Sequence, residues 1–501
     1  MPLALKTFLQ NHHGACHGIT ADSRLVTAGT VFAAVPGATV DGRQFVSQAV
    51  ASGAAAVLYE NADGFIMPEL MVPSLGVSRL QQQLGALSSA IYGEPSHHLK
   101  VLGVTGTNGK TTVSQWLAQA LQAMNAPCLV CGTLGYGWLS SLESFGQTTP
   151  SVCELHHWLA EYQQQGAQFA AMEVSSIGID QGRVDGIHFN SVILTNLSRD
   201  HLDYHGSMEY YAAAKERLFS RPDTEHSIIN LDDAFGLQLA HTLAARNIPV
   251  TGYTLNGMPP FAGVEVVGAT DIRLLSSGLM CAIEWRGEKE TLTTSLLGRF
   301  NLSNLLAVVA VLVNNSFSFR QVVQAVASLR PPPGRMQRLG GGRQPLVVID
   351  YAHTPDALSE ILMAARQMAE VRSGRLICVF GCGGGRDQGK RPLMGTVAEH
   401  LCDEVWVTSD NPRHESPQQI IEQILQGISA EVHSEADRAR VISQAIAGAY
   451  ANDVIVIAGK GHEDYQEIAG RRTPFSDSEQ ASLALSAWMT QQGSGGRRIC
   501  Y

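Results

Sequence analysis

Four short apolar runs punctuate the last third of the chain, at 346–349, 376–380, 404–408 and 454–458. Each ends in Gly, Asp or Asn, and polar or helical-period segments separate them. Runs this short and this continuously apolar predict strands buried on both faces, as in a parallel sheet. The middle of the chain has the same rhythm. Strands are predicted at 101–104, 169–174 and 191–196, and helices at 110–117 and 208–219. Strand alternating with helix predicts an α/β fold with crossover helices. Between 260 and 297 the runs shorten, to 264–267, 279–285 and 291–296, and predict an antiparallel excursion. In residues 1–97 short strands alternate with Ala-rich helical patterns such as 45–52, which predicts a small α/β unit.

Two proline-bearing polar connections divide these blocks, Glu94-Pro95-Ser96-His97-His98 and Pro331-Pro332-Pro333-Gly334. They predict three domains, 1–97, 98–331 and 332–501. The Gly/Ser-rich tail from Gln491 is expected to fray.

The predicted strand at 101–104 runs into Thr105, Gly106, Thr107, Asn108 and Gly109, and Lys110, Thr111 and Thr112 then open a helix. Small residues between strand and helix can offer backbone N–H groups to a phosphate at the helix N-terminus. Lys110 would reach the outer phosphates, and the Thr111 hydroxyl would meet Mg²⁺. The strict phosphate-loop pattern has glycine where Val104 stands, so this is a variant loop. A plain Gly-rich turn remains the alternative.

Composition narrows the classes. With 45% apolar and 16% charged residues the chain suits a globular enzyme with a sizeable core. A formal charge of −10 and no basic run argue against nucleic acid. The N-terminus lacks a signal-peptide pattern, and no apolar run approaches the ~20 residues that span a bilayer, so a cytoplasmic location is expected. Nine cysteines form no disulfide framework. Cys128 and Cys131 have metal-like spacing but lie in an apolar run, and Cys378 and Cys382 flank another, so buried strands are expected at both.

Glu173 ends one middle strand, and Thr195 to Gly206, carrying Asp200, His201 and Asp203, follows the next. A carboxylate and a His/Asp cluster beside a phosphate loop suggest Mg²⁺ at an ATP site. Capping of the following helix by Asp200 and Asp203 is the simpler alternative. Lys215, taken alone, reads as an ordinary exposed helical lysine, and Asn301 as part of a helix start. In the last block three charged, Gly-rich loops follow strands. They hold Arg386 and Lys390; Asp410, Asn411, Pro412 and Arg413; and Gly459 and Glu463. An Arg and a Glu in facing loops could take an amino acid by its carboxylate and its ammonium.

Together, the segments 103–112, 172–176, 196–206, 350–355 and 459–463 resemble the Mur ligase family, and the resemblance spans residues 20–480. It implies a UDP-sugar-binding first domain, a central ATP-binding phosphate-loop domain and a Rossmann-like third domain that brings an amino acid. It also implies an ATP-dependent ligase of peptidoglycan synthesis that joins meso-2,6-diaminopimelate to UDP-N-acetylmuramoyl-L-alanyl-D-glutamate through an acyl phosphate. By the same resemblance, Ser23, Ala38, Thr39 and Val40 would meet the UDP end. Gln147, Thr148, Thr149, Ser175, Gln181 and Arg183 would hold the muramoyl peptide. Glu173 and His201 would be Mg²⁺ ligands, as would Lys215 as its carbamate. Asn301, Arg335 and Asp350 would contact the nucleotide, and Arg386, Asp410, Asn411, Pro412, Arg413, Gly459 and Glu463 would line the diaminopimelate pocket. Ile177 and Gln147 depart from the family's usual His and Asn. The implied partners are small molecules, acting on a monomer. Rival readings are a lysine-adding ligase, a folylpolyglutamate-synthetase-like ligase, and an ATP-binding module without ligase chemistry.

Overall fold

Adjacent residues of the central strands point to opposite faces and are buried on both. Leu102 and Val104 join one apolar cluster while Val101 joins the other, and Ile193 and Val192 divide in the same way. Double-sided burial is why these runs are apolar throughout instead of alternating. The computed structural model describes residues 3–12, 14–37, 40–257, 263–275 and 278–494.

Among the described residues three sheets organise the chain, beside a two-stranded one formed by Tyr465–Ile468 and Arg471–Pro474. The first has four parallel strands in chain order, Gly18–Thr20, Thr30–Ala34, Ala56–Glu60 and Ser74–Val77. The largest has eleven strands, with Lys100–Thr105 between Ser191–Leu194 and Phe169–Glu173. Its parallel centre runs from Cys128–Gly132 to Glu265–Leu275. The antiparallel excursion is present as Glu265–Leu275, Gly278–Trp285 and Glu288–Thr294, and it extends this sheet without forming one of its own. Gly135–Trp138 and Ser141–Glu143 add a second antiparallel edge that the apolar pattern does not announce. The third sheet orders Gln337–Gly340, Leu346–Asp350, Val454–Ala458, Leu376–Phe380, Glu404–Val407 and His433–Ser434. All its pairings are parallel except the first. Four of these strands match the apolar runs, and their carboxyl ends share one edge.

Helix Arg299–Asn314 is buried on every side from Leu305 to Leu312, as expected of a helix apolar all round. Cys128 and Cys131 lie on one buried strand but in different apolar clusters, so they cannot act as a pair. Helix Asp477–Ser494 carries the backbone past Gln491, where fraying is expected from the sequence, and the rest of that tail lies outside the described residues. Among the described residues no helix is long and apolar enough to cross a membrane.

The first two sheets are joined backbone to backbone. Helix Leu80–Ile91 approaches the 182–187 turn so closely that a Cβ on Gly85 would sit 2.3 Å from the Asp185 carbonyl oxygen. The third sheet meets the central one through side chains. Within it, Arg438 and Asp477 form a fully buried pair, with Nε–Oδ1 and Nη2–Oδ2 distances of 2.8 Å. Arg438 also donates to the carbonyls of Ser409 (3.1 Å) and Ala458 (2.9 Å), and so ties down two strand ends. Arg438→Ala would leave Asp477 buried without its cation. The expected loss is about 3–5 kcal/mol, read from the shift of the denaturant midpoint.

Candidate functional site

Strand Lys100–Thr105 delivers the phosphate loop to the carboxyl edge of the central sheet, and helix Lys110–Ala123 starts directly after it. Gly106 (φ 148°) and Gly109 (φ 88°) hold backbone conformations that side chains disfavour. A Cβ would also strike Thr195 Oγ1 at the first and Asn304 Oδ1 at the second. The neighbouring strand end straps the loop in place. Asn108 N–H donates to Asn196 Oδ1 (2.9 Å), Thr107 N–H donates to the Asn196 carbonyl (3.0 Å), and Ser198 N–H donates to Thr107 Oγ1 (2.9 Å).

Two lysines converge on one carbonyl. Lys110 Nζ donates to the Gly106 carbonyl at 2.9 Å and to that of Thr107 at 2.8 Å. Lys215 Nζ reaches the same Gly106 oxygen at 3.0 Å. Lys215 is only 1% exposed, which corrects its reading as an exposed helical lysine. Its helix, Met208–Phe219, presents the side chain inward beside the Tyr211 ring. Burial first, and then the Lys110 charge, push its amine pKa well below the usual lysine value. Burial also lowers that of Lys110, against the pull of Glu173 and Asp200.

Glu173 sits beside them, 1% exposed. Its carboxylate accepts from Thr111 Oγ1 (3.0 Å), Thr133 N–H (2.8 Å) and Thr133 Oγ1 (3.1 Å). Arg335, from the third domain, donates to Thr111 Oγ1 at 3.1 Å and stacks on Tyr351. Thr111 and Glu173 thus present adjacent oxygens, the donor type Mg²⁺ takes when phosphates and water complete its shell. Asp350 is buried and accepts from Met336 N–H (2.8 Å) and Ala352 N–H (2.9 Å), and burial raises its pKa. Asn301 is turned to the Leu297 carbonyl (2.8 Å), whereas Asn304, one turn on, packs against Gly109.

Asp200 does not cap the following helix, whose N-cap is His201 at φ 54°. It is buried instead, with His201 and His353 Nε2 each 3.5 Å from Oδ2 and Lys390 Nζ 3.5 Å from Oδ1. Burial alone would raise its pKa, but His353, Lys390 and His201 outweigh it and hold the carboxyl well below the usual range. Burial also lowers His201, to about 3. The sequence gives no sign that Asp200 meets His353 and Lys390, because their meeting depends on the third domain.

The muramoyl-peptide candidates form one cluster. Arg183 donates to Gln147 Oε1, to the Thr149 carbonyl (2.8 Å) and to Gln181 Oε1 (2.6 Å). Thr149 Oγ1 bonds Ser175 Oγ at 3.1 Å, and Thr148 Oγ1 lies 3.2 Å from Thr133 Oγ1. Ser23 begins a short 3₁₀ turn and Val40 is exposed, while Ala38 and Thr39 lie outside the described residues.

At the third sheet's carboxyl edge, Asn411 Nδ2 donates to Glu463 Oε2 (2.7 Å), and the fully buried Lys460 donates to Asn411 Oδ1 (3.0 Å) and Glu463 Oε2 (2.9 Å). Asp410 lies against Gly459, where a Cβ would sit 2.5 Å from Oδ2. Arg413, following Pro412, donates to the Gly384 carbonyl (2.6 Å) and has no carboxylate partner among the described residues. Arg386 is exposed and makes no hydrogen bond or ion pair among them. Lys460 is a member of this cluster that sequence reasoning misses, because a lysine between glycines gives no sign of burial.

Comparison with known proteins follows the same division. Models of the Mur ligase family catalytic domain, the Mur ligase middle domain and the Mur ligase glutamate ligase domain match residues 15–92, 104–312 and 334–461. The UDP-N-acetylmuramoyl-L-alanyl-D-glutamate--2,6-diaminopimelate ligase of Ectopseudomonas mendocina is 49% identical over 94% of this chain and 95% of its own. A solved structure of a ligase so named, 35% identical, superposes with a TM-score of 0.67 over 95% of both chains. The MurF ligase of Thermotoga maritima in complex with ADP is 17% identical over 98% of this chain and 100% of its own, and shares the fold at a TM-score of 0.65.

Burial, then Arg335 and Lys460, lowers the His462 pKa to about 4. Between the unfolded value near 6.5 and that value the unfolded chain binds the extra proton, so this contribution is present above about pH 6.5 and lost as pH falls towards 4. An NMR titration should find the His462 ring still neutral at about pH 5, and His462→Phe should flatten the acid limb of the stability curve.

Proposed function

This chain belongs to the Mur ligase family, and we propose that it is the ligase that adds meso-2,6-diaminopimelate to UDP-N-acetylmuramoyl-L-alanyl-D-glutamate in peptidoglycan synthesis. The observation that carries the substrate assignment is Arg413, a guanidinium without a carboxylate partner among the described residues, beside the Asn411–Lys460–Glu463 cluster. Diaminopimelate differs from lysine by one distal carboxylate, and a guanidinium takes a carboxylate in a bidentate pair. Glu463 keeps Oε1 for an ammonium. Identity near one half with a ligase of that name, along nearly the whole chain, supports the same assignment.

In this reading Gly106, Thr107, Asn108, Gly109, Lys110, Thr111 and Thr112 hold the ATP phosphates. Lys110 leaves the loop carbonyls to meet them, and Asn301, Arg335 and Asp350 complete the nucleotide site. Gln147, Thr148, Thr149, Ser175, Gln181 and Arg183 orient the acceptor so that its γ-carboxylate attacks the γ-phosphate in line and expels ADP. The acyl phosphate formed is attacked by the neutral amine of diaminopimelate, and collapse of the tetrahedral adduct releases phosphate and a proton and leaves the amide. Position and fixed charge supply the rate. Thr111, Glu173, His201 and carbamylated Lys215 would hold Mg²⁺, which when bound neutralises the phosphate oxygens during transfer. The limits 1–97, 98–331 and 332–501 belong to this reading, supported by the breaks between the three matched regions. A monomer and a cytoplasmic location belong to this reading too, the nucleotide-linked substrate suiting the cytoplasm.

Ligation of UDP-N-acetylmuramoyl-dipeptide, ATP and a panel of amino acids tests the assignment. Diaminopimelate should be strongly preferred, since a site built around a polar contact rejects the analogue that lacks it by roughly 10⁴-fold or more. Comparable kcat/KM for lysine would move the chain to the lysine-adding branch. Arg413→Ala should cost far more with diaminopimelate than with lysine.

Lys215 is expected to be carbamylated. A neutral amine is the form that adds CO₂, and its environment favours that form. Lys215→Ala should lower turnover by about 10²-fold or more and be partly rescued by short carboxylic acids. An unmodified amine in the Mg²⁺- and ATP-bound enzyme would end this claim.

A further inference from the structure

Arg199 lies in the loop that straps the phosphate loop, yet the reaction gives it no task. Its side chain crosses to the third domain. Nε donates to Asp387 Oδ2 at 2.9 Å and Nη2 to Oδ1 at 3.2 Å, a bidentate pair between residues 188 apart in the chain. Asp387 is 8% exposed and also accepts from Gly389 N–H at 2.9 Å. It stands next to Arg386, in the Gly-rich loop assigned to the amino acid. Gly389 makes room for the guanidinium, because a Cβ there would sit 2.4 Å from Arg199 Nη2. The adjacent residue repeats the crossing, since Asp200 meets Lys390 and His353.

The geometry points to Arg199 as a positioning residue that fixes the amino-acid loop, 381–390, relative to the phosphate loop. The route is continuous. Asn196 and Ser198 bond the phosphate loop, Arg199 follows them directly, and its guanidinium holds Asp387 and lies against Gly389. A planar fork on a carboxylate restrains direction as well as distance, which one point charge does not. The amine must approach the carbonyl carbon of the acyl phosphate from above the carbonyl plane, so a small misplacement of this loop slows the second half of the reaction. Arg199 needs to touch neither substrate to have this effect. The proposal rests on the assignment of this loop to the amino acid.

Its test uses the full-length protein and two readouts. In steady-state kinetics, Arg199→Ala and Asp387→Asn should each raise KM for diaminopimelate about tenfold or more, with KM for the UDP-linked dipeptide within about twofold of wild type. The double variant should be no worse than either single one. Gly389→Ala should reproduce the defect with every charge retained, since Gly389 has ordinary helical backbone angles and an added methyl would meet the Arg199 guanidinium at 2.4 Å and Asp387 Oδ1 at 3.2 Å, the two partners of the pair. Arg199→Lys should recover part of the loss. In hydrogen exchange without substrates, Arg199→Ala should speed exchange within 381–390 and leave the phosphate loop protected. Effects that multiply in the double variant, an equal rise in KM for the dipeptide, or unchanged exchange at 381–390 would each overturn the proposal. A wild-type enzyme that fails to ligate diaminopimelate would overturn the substrate reading instead, and the exchange result would still decide the role of Arg199.

Discussion

Two lysine side chains that share one carbonyl oxygen cannot both stay charged at low cost in a buried site. That constraint, Lys110 and Lys215 on the Gly106 carbonyl, governs the centre of this molecule. Lys110 folds back on its own loop, and Lys215, the more enclosed of the two, is driven towards the neutral amine. The surrounding structure keeps both there. Gly106 permits the loop path, Thr195 and Asn196 hold the loop from the next strand, and Glu173, fixed by Thr111 and Thr133, balances the charge. The burial that would make an ordinary lysine a defect here prepares an amine for chemistry.

The third domain adds to this centre instead of enclosing a separate one. Arg335 reaches Thr111, His353 and Lys390 reach Asp200, and Arg199 reaches Asp387. Each contact joins a residue at a strand end or helix start of one sheet's unit to a loop or helix of another. Sites at the carboxyl edges of parallel sheets face each other naturally in this arrangement, and charge complementarity sets how they face.

The parts of the molecule legible in sequence are those whose signal is local. The phosphate loop, the four buried strands of the third sheet and the antiparallel run after residue 260 each write their period or their punctuation into a few consecutive residues. The hairpin edge at Gly135–Trp138 escapes the pattern because its strands are short and the first is half glycine. Lys215 escapes it for another reason. Nothing in its helix distinguishes it from a solvated lysine, and only the approach of the phosphate loop buries it. Helix capping stands as an alternative for Asp200 because two of its partners, His353 and Lys390, lie far along the chain, and no window of sequence contains them. Family resemblance implies a role for Lys215, and burial and a neighbouring cation account for its lowered amine pKa.

The two joints of the molecule differ in kind. Where the first domain meets the second, main chain lies on main chain at Gly85 and Asp185, with no space for a side chain to intervene. Where the third meets the second, ionic and hydrogen-bonding side chains act beside Leu297 and Phe300, which pack against the third domain's apolar core. Mobile ions weaken the exposed charged contacts of the second joint and leave the first untouched. Ionic strength therefore reaches the domain arrangement chiefly through the half-exposed Arg199 guanidinium, at one joint and not the other.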